Sequence, residues 1–411
     1  MNKRLLYLLI ILCIPAFHAT AQSNDKDAGQ YKFINYKANT LHYDSTSPTM
    51  SRFFSKWQRL MKTHQGNLNI VHIGGSHVQA GSLPNTIRCN ILADNPDLVG
   101  PRGLVFPYSA AAKCNNPADY RVHCPQPMIL TRNVYKEYTY PLGICGIAVT
   151  ASNEWTEMSI VLNEPRIDYH TDHVVLLGHS DQGIVPRLRI GDNEIYPSYI
   201  DQLTDRYIFN LGCETDSFNI IIPCKEGDLF TVYGIYLDNR RNGISYHSIG
   251  VNGASVPDYL RCPNFVRDMR LLHPDAVVFG IGINDAVPVD FDTAAFHLNY
   301  LALVDSIRSV NPDCAFIFVT NNDSFRKTGR RRYHVNNNGT LARDVFYRLA
   351  RDVDGAVWDQ FEVMGGLKSM DHWRKAGLAR NDRVHFTAAG YRLIGDMFSE
   401  ALLKALSQHS E

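Results

Sequence analysis

Residues 69–77 read Asn69-Ile70-Val71-His72-Ile73-Gly74-Gly75-Ser76-His77, an apolar run released into a glycine-flanked turn. A short apolar run rich in β-branched residues and closed by glycine suits a buried strand, here expected over 69–73. A helix is expected over 78–93, with Gly81 and Pro84 blurring its start. Glycine lowers Cβ crowding around the serine, and a helix that follows aims its N–H groups at whatever reacts there. Ser76 therefore has the setting of a nucleophile. Downstream, residues 276–280 (Ala-Val-Val-Phe-Gly) and 315–319 (Ala-Phe-Ile-Phe-Val) are continuous apolar runs of strand length, each ending at a polar loop. Between them, residues 292–309 space Leu298, Leu301, Ala302, Val304 and Ile307 as one face of a helix, and 340–352 and 388–407 look like two more. Alternating strands and helices predict an α/β fold with a parallel sheet covered on both faces.

The stretch from 120 to 242 has another rhythm. Short runs at 173–177, 184–190, 207–211, 218–222 and 229–235 are separated by Gly, Asp, Asn or Pro. That pattern predicts an all-β module of sandwich or jelly-roll type. It interrupts the α/β part, expected over 25–119 and 243–408. Residues 1–21 read as an export signal: Lys3 and Arg4, an apolar stretch from Leu5 to Phe17, then Ala19-Thr20-Ala21 before Gln22. A periplasmic or secreted product is expected, with no integral membrane segment in the mature chain.

Charge is balanced, 41 basic against 41 acidic residues, so no field favours nucleic acid. The basic run Arg326, Lys327, Arg330, Arg331 and Arg332 reads as a solvated loop. Cleavage would leave eight cysteines. The pairs 114/124 and 213/224 are close enough for disulfides, although a chain this long can bury a core without them. His170, His173 and His179 show no firm ligand pattern, and no metal is expected.

Near the other end stands Asn381-Asp382-Arg383-Val384-His385-Phe386-Thr387. An Asp three residues before a His can put both side chains on one side of a tight turn. The carboxylate then orients the imidazole, and the imidazole takes the serine proton. Two further segments lie between, Gly250-Val251-Asn252-Gly253-Ala254 and Gly280-Ile281-Gly282-Ile283-Asn284-Asp285. In this order the four segments resemble the blocks of the SGNH (GDSL-type) hydrolases. The resemblance spans about 25–115 and 245–405. It implies a flavodoxin-like three-layer fold with Ser76 as nucleophile, His385 as general base and Asp382 as its orienting acid. It also implies an oxyanion hole from the N–H groups of Ser76 and Gly253 and the side-chain amide of Asn284. Gly253 fits that role better than Gly250. His77 is a candidate for substrate contact or for a structural hydrogen bond. The usual first block reads Gly-Asp-Ser, so Gly75 is a departure.

Within the family, Ser76-His77, residues 246–254, the stretch 373–391 and the β insertion resemble the bacterial peptidoglycan O-acetylesterases. This implies removal of O-acetyl groups from a glycan without a cofactor, the insertion assisting polymer binding. Trp155, Tyr169, Tyr196 and Tyr199 are candidates for stacking on sugar rings. A lipase or broad acyl esterase is the enzymatic alternative. A glycan-binding protein on a degenerate hydrolase scaffold is the other.

Overall fold

The apolar runs form the sheet they predict. In the computed structural model, which describes residues 31–111, 114, 117–137, 141–330 and 332–409, the expected strand extends to Asn67–Gly74. Numbered in chain order, the six strands of this sheet are β1 (Leu41–His42), β2 (Asn67–Gly74), β3 (Gly243–Gly250), β4 (Ala276–Gly280), β5 (Ala315–Val319) and β6 (Ala356–Trp358). Their order is β1-β6-β5-β4-β2-β3. All neighbours pair in parallel except the edge strand β1, which runs antiparallel to β6. The parallel strands alone follow the order 2-1-3-4-5 of a flavodoxin-like sheet, whose switch point lies between β2 and β4. Their continuous apolar sequence is explained by burial on both faces: every residue of β5 is buried.

Helices α1 (Pro48–Thr63), α2 (Ser76–Gln79), α3 (Ser82–Ala93), α4 (Thr293–Arg308), α5 (Asn338–Asp352) and α6 (Ala388–Gln408) flank the sheet strands in sequence. The helix expected over 78–93 is broken in two. Gly81 adopts φ +79°, a left-handed conformation that ends the short α2 and starts α3. Thr387 caps α6 by accepting the Gly390 N–H.

Between β2 and β3 lie two antiparallel sheets. One orders its strands 193–195, 187–190, 217–222, 156–162 and 120–123. The other contains Thr171–His179, Arg206–Thr215 and Phe230–Asp238 at its centre. Strand Thr156–Leu162 alternates buried and half-buried residues, as a strand with one covered face does. Gly103–Val105, upstream of residue 120, joins the second sheet by pairing with Ile235–Leu237, so the antiparallel layer recruits chain from before the insertion. Trp155, Tyr196 and Tyr199 are exposed (42%, 60% and 61%), and the first two flank the Arg187 guanidinium. Tyr169 differs from the other three: it is 5% exposed and packed near Arg88, Arg102 and Asp119, which leaves little of its ring for a sugar to stack on.

All eight described cysteines are free, so neither 114/124 nor 213/224 is bridged. The basic run falls on a two-stranded hairpin, Phe325–Gly329 with Arg332–Val335, whose Lys327, Arg330 and Arg332 are exposed; Arg331 lies outside the described residues. So does the expected export signal, 1–21. No helix among the described residues is long and apolar enough to cross a membrane.

His247, on β3, links the parallel sheet to the antiparallel layer through strand Gly103–Val105. Its Nδ1 accepts the Leu104 N–H at 3.1 Å, and the ring fills the space beside Gly103 where a Cβ would stand. Burial first, then the charges of Arg102 and Arg88, push its pKa down to about 3 from 6.5. Between those values the unfolded chain binds a proton that the native chain refuses, so this group's contribution to stability falls as pH falls. The stability advantage of wild type over His247→Gln is expected to narrow from about pH 7 to about pH 4 in urea denaturation. A difference constant across that range would contradict it.

Candidate active site

Ser76 follows β2 and Asn284 follows β4, so the two flank the switch point at the carboxyl ends of the strands, where open α/β sheets hold ligands. Gly75 precedes the first turn of α2, and the Ser76 N–H is among those a helix start leaves without an intrahelical acceptor. The close approach of β3 explains another glycine. A Cβ at Gly250 would stand 2.3 Å from the Gln79 nitrogen, so this position serves the packing of α2 on β3. Gly253 has φ +85° in the following turn, and its N–H has no protein acceptor among the described residues.

The turn 380–385 is built by Asp382. Its Oδ1 accepts the N–H groups of Val384 (3.0 Å) and His385 (2.9 Å), and Arg383 between them takes φ +59°. Oδ2 lies 3.0 Å from His385 Nδ1. With Nδ1–H donated there, Nε2 is left to accept the Ser76 hydroxyl, whose Oγ is 2.8 Å away. Burial raises the Asp382 carboxyl, but the hydrogen bonds from the His385 ring and from both backbone N–H groups outweigh it. The carboxyl is held well below the usual range and stays ionised.

These groups open onto a cleft of about 510 Å³ lined by Ser76, Asn252, Gly253, Asn284, Asp382 and His385, with Gln79, Arg380 and Tyr391 completing its walls. The Asn284 amide donates to the Ala254 carbonyl at 2.9 Å, which sets its orientation. A Cβ added at Gly75 would stand 3.5 Å from both Asn284 Nδ2 and Ala254 O. The position that carries Asp in the related pattern thus borders this amide, and here a backbone carbonyl holds the amide instead.

His77 does not line the cleft. Its Nδ1 meets the Tyr391 hydroxyl at 2.8 Å and its ring packs 5.3 Å from that of His385. Burial, then the neighbouring His385, pushes its pKa down to about 3, so it stands as a neutral wall behind the Ser76–His385 pair. Asp285 turns away to accept the Val256 N–H, and burial pushes its carboxyl up to about 7. Gln79, Asn252, Arg380 and Tyr391 were not singled out from the sequence. The one available signal was adjacency, since Asn252 precedes Gly253 and Arg380 stands two residues before Asp382.

A serine–imidazole–carboxylate chain lies on a flavodoxin-like sheet, with unpaired N–H groups and an amide beside the serine, and this is the arrangement of an SGNH-type fold. Residues 227–393 match the model of the GDSL-like lipase/acylhydrolase family, a span that contains Gly253, Asn284, Asp382 and His385 but not Ser76. Among solved structures, a peptidoglycan O-acetylesterase superposes with a TM-score of 0.73 at 20% identity, covering 89% of this chain and 99% of that one. The chain therefore shares its overall fold with that enzyme. An acetyl xylan esterase (TM-score 0.31, 21% identity, 39% of this chain and 81% of that one) is also similar. So is a lipase/acylhydrolase from Enterococcus faecalis (TM-score 0.31, 21% identity, 40% and 77%). No curated protein sequence matches.

Proposed function

We propose that the protein is an exported serine esterase that removes O-acetyl groups from a glycan. The observation that carries this reading is the continuous hydrogen-bond chain from Ser76 through His385 to Asp382 at the wall of an open cleft. Ser76 Oγ bonds to the acetyl carbonyl carbon while its proton passes to His385 Nε2. The oxyanion is met by the N–H groups of Ser76 and Gly253 and by the Asn284 amide. Collapse breaks the bond to the sugar oxygen, which takes the proton from His385. Water then gives a proton to His385 and adds its oxygen to the acyl carbon, and Ser76 leaves reprotonated, releasing acetate. Asp382 keeps Nδ1 protonated throughout.

Asn284→Ala is expected to lower kcat on an acetyl ester by about 10²-fold or more, with a smaller change in KM. A KM effect alone would remove Asn284 from the oxyanion role. The glycan part of the reading is supported by the overall fold, shared along most of the chain with a protein described as a peptidoglycan O-acetylesterase. The cleft walls, largely polar groups of Gln79, Asn252, Asn284 and Arg380, favour a short acyl group over a long one. Acetate release from O-acetylated peptidoglycan and acetylated xylan, beside a series of aryl esters of rising acyl length, tests this. Release from a glycan with acetyl preferred is the expected result. Preference for octanoyl esters with both glycans untouched would make the protein a lipase-type acyl esterase. Export is read from residues 1–21 alone: a periplasmic or secreted product beginning at Gln22 would support it, and an uncleaved cytoplasmic chain would contradict it.

A further inference from the structure

The hairpin that positions His385 also positions a cation that acyl transfer does not use. Ala379 and Phe386 pair as an antiparallel bridge, and the Arg380 N–H donates to the His385 carbonyl at 2.7 Å. The Arg383 N–H closes the turn on the Arg380 carbonyl at 3.2 Å. Side chains alternate across such a ladder. Ala379 and Phe386 face inward, 6% and 1% exposed, and residues 380 and 385 share the other face. Arg380 and His385 accordingly line the same cleft.

The Arg380 guanidinium is exposed and has no hydrogen-bond or ion-pair partner among the described residues. The cleft offers it no free carboxylate. The acid among the lining residues is Asp382, whose Oδ1 is taken by two backbone N–H groups and whose Oδ2 is taken by His385. Its neighbour Arg383 is engaged differently, 3.4 Å from Asp371 and stacked on the rings of Phe325 and Tyr333. A guanidinium stays charged at any working pH, and its planar fork matches a carboxylate. An unpaired one beside a nucleophile is placed to meet charge on the substrate.

We propose that Arg380 is a specificity-determining residue that binds a carboxylate on the substrate. The preferred ester is then an acetyl group on an acidic sugar, with the carboxylate on the same ring or its immediate substituent. This rests on the esterase reading of Ser76 and narrows its substrate class. The interaction acts through binding, so it shows in KM more than in kcat.

The test uses an acetylated uronic acid glycoside and the matching uronamide, which carry the same ester and differ in charge. For wild type, kcat/KM is expected to favour the acid by about tenfold, and the ratio is expected to shrink as salt is raised. In Arg380→Gln the ratio should fall to about one, and Arg380→Lys should keep part of it, since a lysine retains the charge but loses the fork. Melting curves of both variants control for folding, and the salt dependence of wild type stands independently of either variant. Equal use of acid and amide by wild type, or an unchanged ratio in Arg380→Gln, would overturn the proposal. Absence of Ser76-dependent hydrolysis of both sugars and of a small neutral acetyl ester would instead overturn the esterase reading.

Discussion

Ser76→Ala is expected to lower turnover of a small acetyl ester by about 10⁴-fold or more. Removing Oγ takes away both the group that would carry the acyl chain and the donor bonded to His385 Nε2 at 2.8 Å. The remaining partners cannot replace it. His385 and Asp382 can still orient water, and the Ser76 and Gly253 N–H groups and the Asn284 amide survive the change, so a small residual rate should persist above the uncatalysed one. Stability should hardly move, because residue 76 is half-buried at the start of a short helix where alanine is tolerated. The assay is initial-rate hydrolysis of an aryl acetate beside a melting curve. A loss of less than tenfold in a folded variant would place the nucleophile elsewhere.

The second large effect concerns folding. Asp119, about 1% exposed, lies between two equally buried guanidiniums. Arg88 Nη1 is 3.1 Å and Arg102 Nη2 is 2.6 Å from its Oδ2. Burial alone would raise this carboxyl, but Arg102 and then Arg88 outweigh it and keep the group ionised. Arg88 belongs to α3 and donates through Nε and Nη2 to the carbonyl of Tyr246 on β3, whereas Asp119 immediately precedes the first strand of an antiparallel sheet. The cluster therefore ties the parallel sheet to the insertion. Asp119→Ala would leave two buried cations with a single acid removed from between them. The expected cost is about 3–5 kcal/mol of unfolding free energy, measured by urea denaturation. A cost below about 1 kcal/mol would mean that water reaches the guanidiniums and that the cluster is not the tie described here.

The parts of the fold visible in the sequence are those whose signal is local. Residues 276–280 and 315–319 are apolar because both sheet faces are covered, and the strands occupy those very residues. The long helices follow from apolar spacing and from caps such as Asp292 and Thr387. Ser76, Asp382 and His385 could be nominated because each sits in a short segment with its own turn chemistry, although their meeting across 309 residues is a tertiary fact. What depended on a distant partner was hidden. Tyr169 looks like any aromatic of a β module, and only the burial of Arg88 and Arg102 beside it shows why it is inside. The cysteine spacings allowed bridges that the chain does not make. Arg380 gained significance only when the 379/386 bridge put it across from His385.

The most direct measurement pairs an active-site label with the glycan assay. The protein is treated with a fluorophosphonate ester, the adduct is located by peptide mass spectrometry, and acetate release from an O-acetylated glycan is followed as labelling proceeds. A single adduct on Ser76, with acetate release falling in step and no labelling in His385→Ala, is the predicted result. Acetate release that continues after Ser76 is fully labelled would contradict the account.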